Sequence, residues 1–191
     1  MKKKELVIYR KWRKDSKKNL RSVKENVNDY IISYGGYFSI LTSSYFLLAF
    51  LLNCLMVSSW ISIEWIGNVK SIVPSIIGLS LSAYAILVAF GSEVFQKFIS
   101  QKLDGEKDIN NTMYKQINTA FIHFIVTQMF SLILALLGDT ILANPFNFFE
   151  IFISFFCNLI FIYSLMLGLA AVFTIFRVAK LYQEFNNSNL N

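Results

Sequence analysis

The chain has 191 residues, 55% of them hydrophobic and 16% aromatic, with nineteen Phe, two Pro and a formal net charge of +6. Mean hydropathy is +0.50, and the apolar residues gather into long uninterrupted runs that a water-soluble domain of this size does not need. The basic excess sits between those runs with only Tyr9 and Trp12 near its largest cluster, which argues against a nucleic-acid surface and for an orientation signal in a membrane.

Residues 1–36 form a basic lead holding eleven Lys/Arg, from Lys2 to Lys24. Leu20, Val23, Val27, Tyr30, Ile31 and Tyr34 recur at helical spacing, with Lys24, Glu25, Asn26 and Asn28 off that face. An amphipathic cytosolic helix is therefore expected to run up to the membrane. Gly35-Gly36 permits a hinge before the first span. An apolar run that begins beyond residue 30 comes too late for a cleaved signal peptide, so the first span is expected to act as an uncleaved anchor.

Four transmembrane helices are expected near 37–59, 71–92, 117–138 and 151–176, each free of Asp, Glu, Lys and Arg. Roughly 20 apolar residues at 1.5 Å each cross a bilayer core, and every one of these runs is long enough. The first ends in Trp60 and Trp65 around Glu64, a pattern suited to aromatic anchoring at the outer interface. In the second, Pro74 falls in the expected first turn, where its missing N–H costs little. Ser71, Ser75, Gly78, Ser82, Ala85, Ala89 and Ser92 then follow at alternating steps of four and three, one stripe of small residues. Membrane helices associate by close backbone approach along such stripes, so this helix is expected to be gripped by another.

Beyond Ser92 the pattern changes. Val94, Phe95, Phe98, Ile99 and Leu103 share a face, with Glu93, Lys97 and Lys102 off it, an amphipathic extension suited to the membrane surface or a partner groove. A polar stretch, Asp104 to Thr112, leads to the third span, which carries Ala120, His123, Thr127, Gln128, Ser131 and Ala135. The fourth repeats the small-residue seam at Ser154, Cys157, Phe161, Ser164, Gly168 and Ala171. The second and fourth spans run parallel, and their seams are natural mates within one subunit or between subunits. Residues 177–191 form a tail.

Seventeen of the eighteen Lys/Arg lie in the lead, in the second connection (Lys97, Lys102, Lys107, Lys115) and in the tail (Arg177, Lys180); only Lys70 lies opposite. By the positive-inside rule both termini face the cytoplasm. The fold class is all-α: an integral-membrane four-helix bundle with an amphipathic N-terminal cytosolic helix.

Sites for chemistry are sparse. No Asp, Glu, Lys or Arg lies within a span, whereas coupled pumps normally place such groups at mid-membrane. Asn53 and Asn158 fall in the same half of the bilayer, and a hydrogen bond between the first and fourth spans is expected from them. His123 lies near the depth of Glu93, where contact means either a packing hydrogen bond or a pH-sensitive latch. Cys54 and Cys157 are expected to be apolar thiols, with a disulfide conceivable. No nucleophile–base pair, metal-ligand spacing or phosphate loop occurs, so neither an enzyme nor a cofactor is expected.

The run Ala83-Tyr84-Ala85-Ile86-Leu87-Val88-Ala89-Phe90-Gly91-Ser92-Glu93, with Phe95 and Lys97 after it, resembles a stretch of small bacterial multi-pass proteins encoded beside anti-phage systems. The retron-associated transmembrane effectors, and secondly the four-span membrane component of Kiwa, are the proteins it resembles. The resemblance implies an inner-membrane component that senses infection or damages the host membrane when a cytosolic protein or ribonucleoprotein partner releases it. On this reading Glu93, Phe95, Phe98 and His123 are switch candidates and the chain is a homo-oligomer in the lipid bilayer. The rivals are a small channel or exporter subunit and a structural subunit of a membrane complex.

Overall fold

In lipid every backbone N–H and C=O must find a partner within its own segment, so apolar runs of this length fold as helices. The computed structural model of the chain describes residues 3–89, 93–100, 112–142 and 147–188, and leaves out the side chains of residues 3–12, Leu87, Ala89, Glu93, Gln96 and Ser188. Ser92, most of the polar 104–112 stretch and the Asn144-Pro145 turn lie outside the described residues. The elements run α1 (Lys3–Ser33), α2 (Gly36–Leu41), α3 (Ser44–Leu55), α4 (Val57–Ile61), α5 (Glu64–Ala89), α6 (Glu93–Ile99), α7 (Met113–Ile141) and α8 (Phe148–Ser188).

Among the described residues, three helices are long and apolar enough to cross a membrane: Glu64–Ile86, Met113–Ile141 and Phe148–Asn187. The expected span at 37–59 is not one helix. Ser43 caps α3 by accepting a hydrogen bond from the Tyr45 amide at 3.2 Å, which breaks the run there, and Met56 breaks it again before α4. The second helix also departs from expectation. It begins at Glu64, which places Pro74 in its interior and leaves the Lys70 carbonyl without its intrahelical donor.

The amphipathic lead forms as α1, and its apolar face stays uncovered at Leu20, Val23 and Val27 before the helix meets the bundle at Tyr30. It stops at Gly35 and Gly36, both at positive φ (97° and 85°), a backbone state that glycine adopts without strain.

Packing runs α5 against α7, α7 against α8, and α3 with α4 against α8. The outside is apolar, with Leu51, Leu55, Leu79, Phe130, Ile133, Leu137, Phe152 and Phe173 all exposed. The inside is partly polar, with Asn53, Gln128, Ser131, Ser154, Asn158 and Ser164 all at 0% exposure. A domain built for water would reverse that distribution, whereas one solvated by lipid gains nothing from hiding leucine. α8, at 41 residues, is about 60 Å long, roughly twice the thickness of a bilayer core.

Candidate functional site

Buried polar groups, dispersed in sequence, are brought together at two ends of the bundle. At the end where α4 leads into α5, Asn158 Nδ2 donates to Asn53 Oδ1 at 2.7 Å, the bond expected between these two residues. Asn53 Nδ2 also donates to the Phe155 carbonyl (3.2 Å), and the Trp60 indole donates to the Asn53 carbonyl (3.1 Å). Ser154 links the remaining pieces: its hydroxyl donates to the Trp60 carbonyl (2.6 Å) and accepts from the Trp65 indole (2.8 Å). The expected aromatic belt is therefore corrected at Trp65, which is wholly buried because its indole N–H is held by α8. Trp65 and Ile66 pack over Gly138, where an added Cβ would lie 3.3 Å from each. Lys70 closes this end by pairing with Asp139 at 2.8 Å. Cys54 and Cys157 are both free.

The two small-residue seams have opposite fates. On α8, Ser154, Cys157, Phe161, Ser164 and Ala171 are buried, and Gly168 sits against the Phe124 ring of α7. On α5, Ser71, Ser75, Gly78, Ser82 and Ala85 all face outwards, and a Cβ added at Gly78 meets nothing within 4 Å. Ala89's side chain lies outside the described set. The expected mating of the two seams within one subunit is thus overturned. α5 instead presents Trp65, Ile66, Val69, Val73 and Ser80 to the bundle, and packs mainly on α7, meeting α8 chiefly through Trp65.

Midway along α7, Gln128 and Ser131 are fully buried, and neither side chain has a hydrogen-bond partner among the described residues. Two orphaned polar side chains in an apolar interior are costly unless something outside this chain satisfies them.

At the opposite end, His123 is buried between tyrosines. Its Nδ1 bonds the Tyr30 hydroxyl of α1, its Nε2 bonds the Tyr163 hydroxyl of α8 at 2.9 Å, and the Tyr34 ring lies 3.9 Å from it, centroid to centroid. A neutral imidazole satisfies both contacts, accepting from one hydroxyl and donating to the other. Both ring nitrogens are thereby occupied, so the expected latch to Glu93 has no free nitrogen to use; the Glu93 side chain lies outside the described set. Burial, with Tyr34 nearby, pushes the Tyr30 hydroxyl up to about 12, and burial also raises that of Tyr34. Tyr30 and Tyr34 stand four residues apart at the end of the amphipathic stripe, the one signal in the sequence that this stretch has a second partner besides lipid.

The amphipathic extension is not a free surface helix. α6 packs back on α7 and on the far part of α8: Phe95 is buried, its ring 5.0 Å from Tyr182 and 5.7 Å from Phe185, and the Phe98 ring lies tilted 5.2 Å from Phe185. Ile99 is buried with Phe95, whereas Val94 remains exposed. A helix of seven residues does not hold its shape alone in water, so α6 is a helix because it is docked.

A groove of about 310 Å³ opens beside the tyrosine cluster, lined by Tyr34, Tyr45, Leu167, Phe173, Thr174 and Arg177. Among the described residues no three His, Cys, Asp or Glu side chains gather as a metal set. Compared with known protein families, curated proteins and solved structures, the chain matches none, so its function has to be read from these contacts.

Proposed function

We propose that the chain is a multi-pass membrane effector or sensor of a bacterial anti-phage module. It acts by perturbing the inner membrane when a cytosolic protein or ribonucleoprotein partner triggers it. In this reading α3 and α4 together make the fourth crossing, both termini lie in the cytoplasm, and α1 rests its bare apolar face on the bilayer. Copies associate through the outward small-residue stripe of α5, from Ser71 to Ala85. The observation that carries the reading is the docking of α6 on α8.

Burying Phe95 and Ile99 stabilises the docked state by about 3–6 kcal/mol. About 5.5 kcal/mol of differential affinity turns a 1:99 equilibrium into 99:1, so a partner that grips α8 beyond Arg177 is able to release α6. Released, Val94, Phe95, Phe98 and Ile99 form an apolar face that enters the bilayer interface or meets another subunit.

Two variants test this in opposite directions. Phe185→Ala weakens the dock and leaves the α6 face intact, so depolarisation of expressing bacterial cells, followed with a potential-sensitive dye, increases. Phe95→Asp with Phe98→Asp frees α6 but spoils its face, so depolarisation is abolished at equal membrane levels. The same response from both, or from neither, rejects the switch.

Gln128 and Ser131 favour a second reading, a channel or exporter subunit or a structural subunit of a membrane complex. There, water or another chain supplies the hydrogen bonds those side chains lack. Absence of depolarisation by the wild type, during both overexpression and infection, favours this alternative.

A further inference from the structure

We infer that the groove beside the tyrosine cluster is a binding site for a single anionic phospholipid, with its phosphate on Arg177 and one acyl chain running inward past Phe173 to Leu167. The inference rests on α8 crossing a membrane and not on the effector reading.

The order of chemistry along the groove carries it. Leu167 and Arg177 stand ten residues apart on one helix, about 15 Å. The inner end is apolar and the outer end cationic, the same polarity as a lipid standing in a leaflet. Arg177 is the first charged residue after the charge-free run Ile151–Phe176, which places it where α8 leaves the hydrocarbon. Its side chain is exposed, and no carboxylate pairs with it among the described residues. Among the described residues no acidic side chain lines the groove, so its field favours a net negative headgroup over a zwitterionic one.

The donors narrow the geometry further. Thr174 already donates its hydroxyl to the Ala170 carbonyl at 2.8 Å, and the Tyr34 hydroxyl lies beside that of Tyr163. Arg177 and the Tyr45 hydroxyl remain to receive phosphate oxygens, and a guanidinium meets a phosphate with two parallel N–H bonds. The volume of 310 Å³ lies at the lower end of the roughly 300–1,000 Å³ range of small-ligand sites. It suits a headgroup with the upper part of one chain, the rest of the lipid staying in the bilayer.

The full chain, purified in detergent, is exposed to dioleoyl-phosphatidylglycerol and dioleoyl-phosphatidylcholine together, and retained lipid is counted by native mass spectrometry. Phosphatidylglycerol is expected to be retained in preference, one molecule per chain. Arg177→Gln should reduce that retention by about fivefold, as loss of one basic residue beside an anionic headgroup does. Ala170→Phe, which narrows the apolar part of the groove, should reduce it as well, while Arg21→Gln on the exposed face of α1 should not. Equal retention of the two lipids, or unchanged retention in Arg177→Gln, overturns the proposal. Competition by soluble glycerol phosphate as effective as the whole lipid also overturns it, since the site would then hold a free anion. Depolarisation plays no part in this measurement, so failure of the effector reading leaves it standing.

Discussion

Replacing Asn158 by Ala removes a donor 2.7 Å from Asn53 Oδ1 in a place with no water to take over, since both residues are at 0% exposure. Asn53 keeps its bond to the Phe155 carbonyl, but its own oxygen is orphaned, and Ser59 loses an acceptor at 3.4 Å. An orphaned buried group costs about 1–3 kcal/mol, and an intramembrane hydrogen bond contributes about 0.6 kcal/mol on average, up to about 1.7. Either single variant, Asn53→Ala or Asn158→Ala, should therefore destabilise by about 2–3 kcal/mol. The double variant has neither orphan, so it should cost about 1–2 kcal/mol less than the sum of the two. The assay is reversible unfolding of the purified chain in mixed micelles titrated with a denaturing detergent, on the wild type and the three variants. Additivity within about 0.3 kcal/mol, the behaviour of independent sites, would refute the claim that this bond ties α3 to α8.

Gly138→Ala should destabilise by about 1–3 kcal/mol in the same assay, because Trp65 is pinned by Ser154 and cannot give way, whereas Gly78→Ala should be nearly neutral. Gly78→Leu should leave the fold intact and weaken crosslinking between copies; unchanged crosslinking removes the α5 stripe from the assembly. Tyr30 is held protonated in the docked state, so its contribution is complete below about pH 10 and is lost as pH rises through about 12. Phenolate absorbance of the wild type minus that of Tyr30→Phe should accordingly titrate above the ordinary tyrosine range, and a normal titration would undo the α1 contact. Reporter fusions at residue 36 and after Asn191 should both report the cytoplasm, and external activity of the second would sink the proposed topology.

The parts legible beforehand were those in which chemistry leaves one solution. Asn53 and Asn158 are polar in an apolar run and had to find each other, and Gly35-Gly36 marked where α1 stops. The α8 seam packed as its spacing suggested, but the same spacing on α5 misled. In lipid neither a small nor a large face is driven inward by solvent, so partner shape decides, and α7 took the larger residues Trp65, Val69 and Val73. The break at Ser43 was readable as a cap in hindsight from Thr42-Ser43-Ser44, a signal drowned by the apolar residues on both sides. His123 and Tyr30 lie 93 positions apart, and nothing local to either names the other.

The length of α8 makes it a lever. No proline interrupts its 41 residues, so the part that carries Tyr182 and Phe185 and the part that carries Asn158 and Tyr163 turn as one rod. Membrane helices tilt over roughly 0–40°, and a change of about 10° swings Phe185, about 30 Å along the helix from the bilayer midplane, sideways by about 5 Å. That stroke equals one turn of helix, enough to slide Phe185 from one side of Phe95 to the other. Force applied to the projecting end is likewise transmitted inward, at a mechanical advantage, to the hydrogen bonds that hold α3.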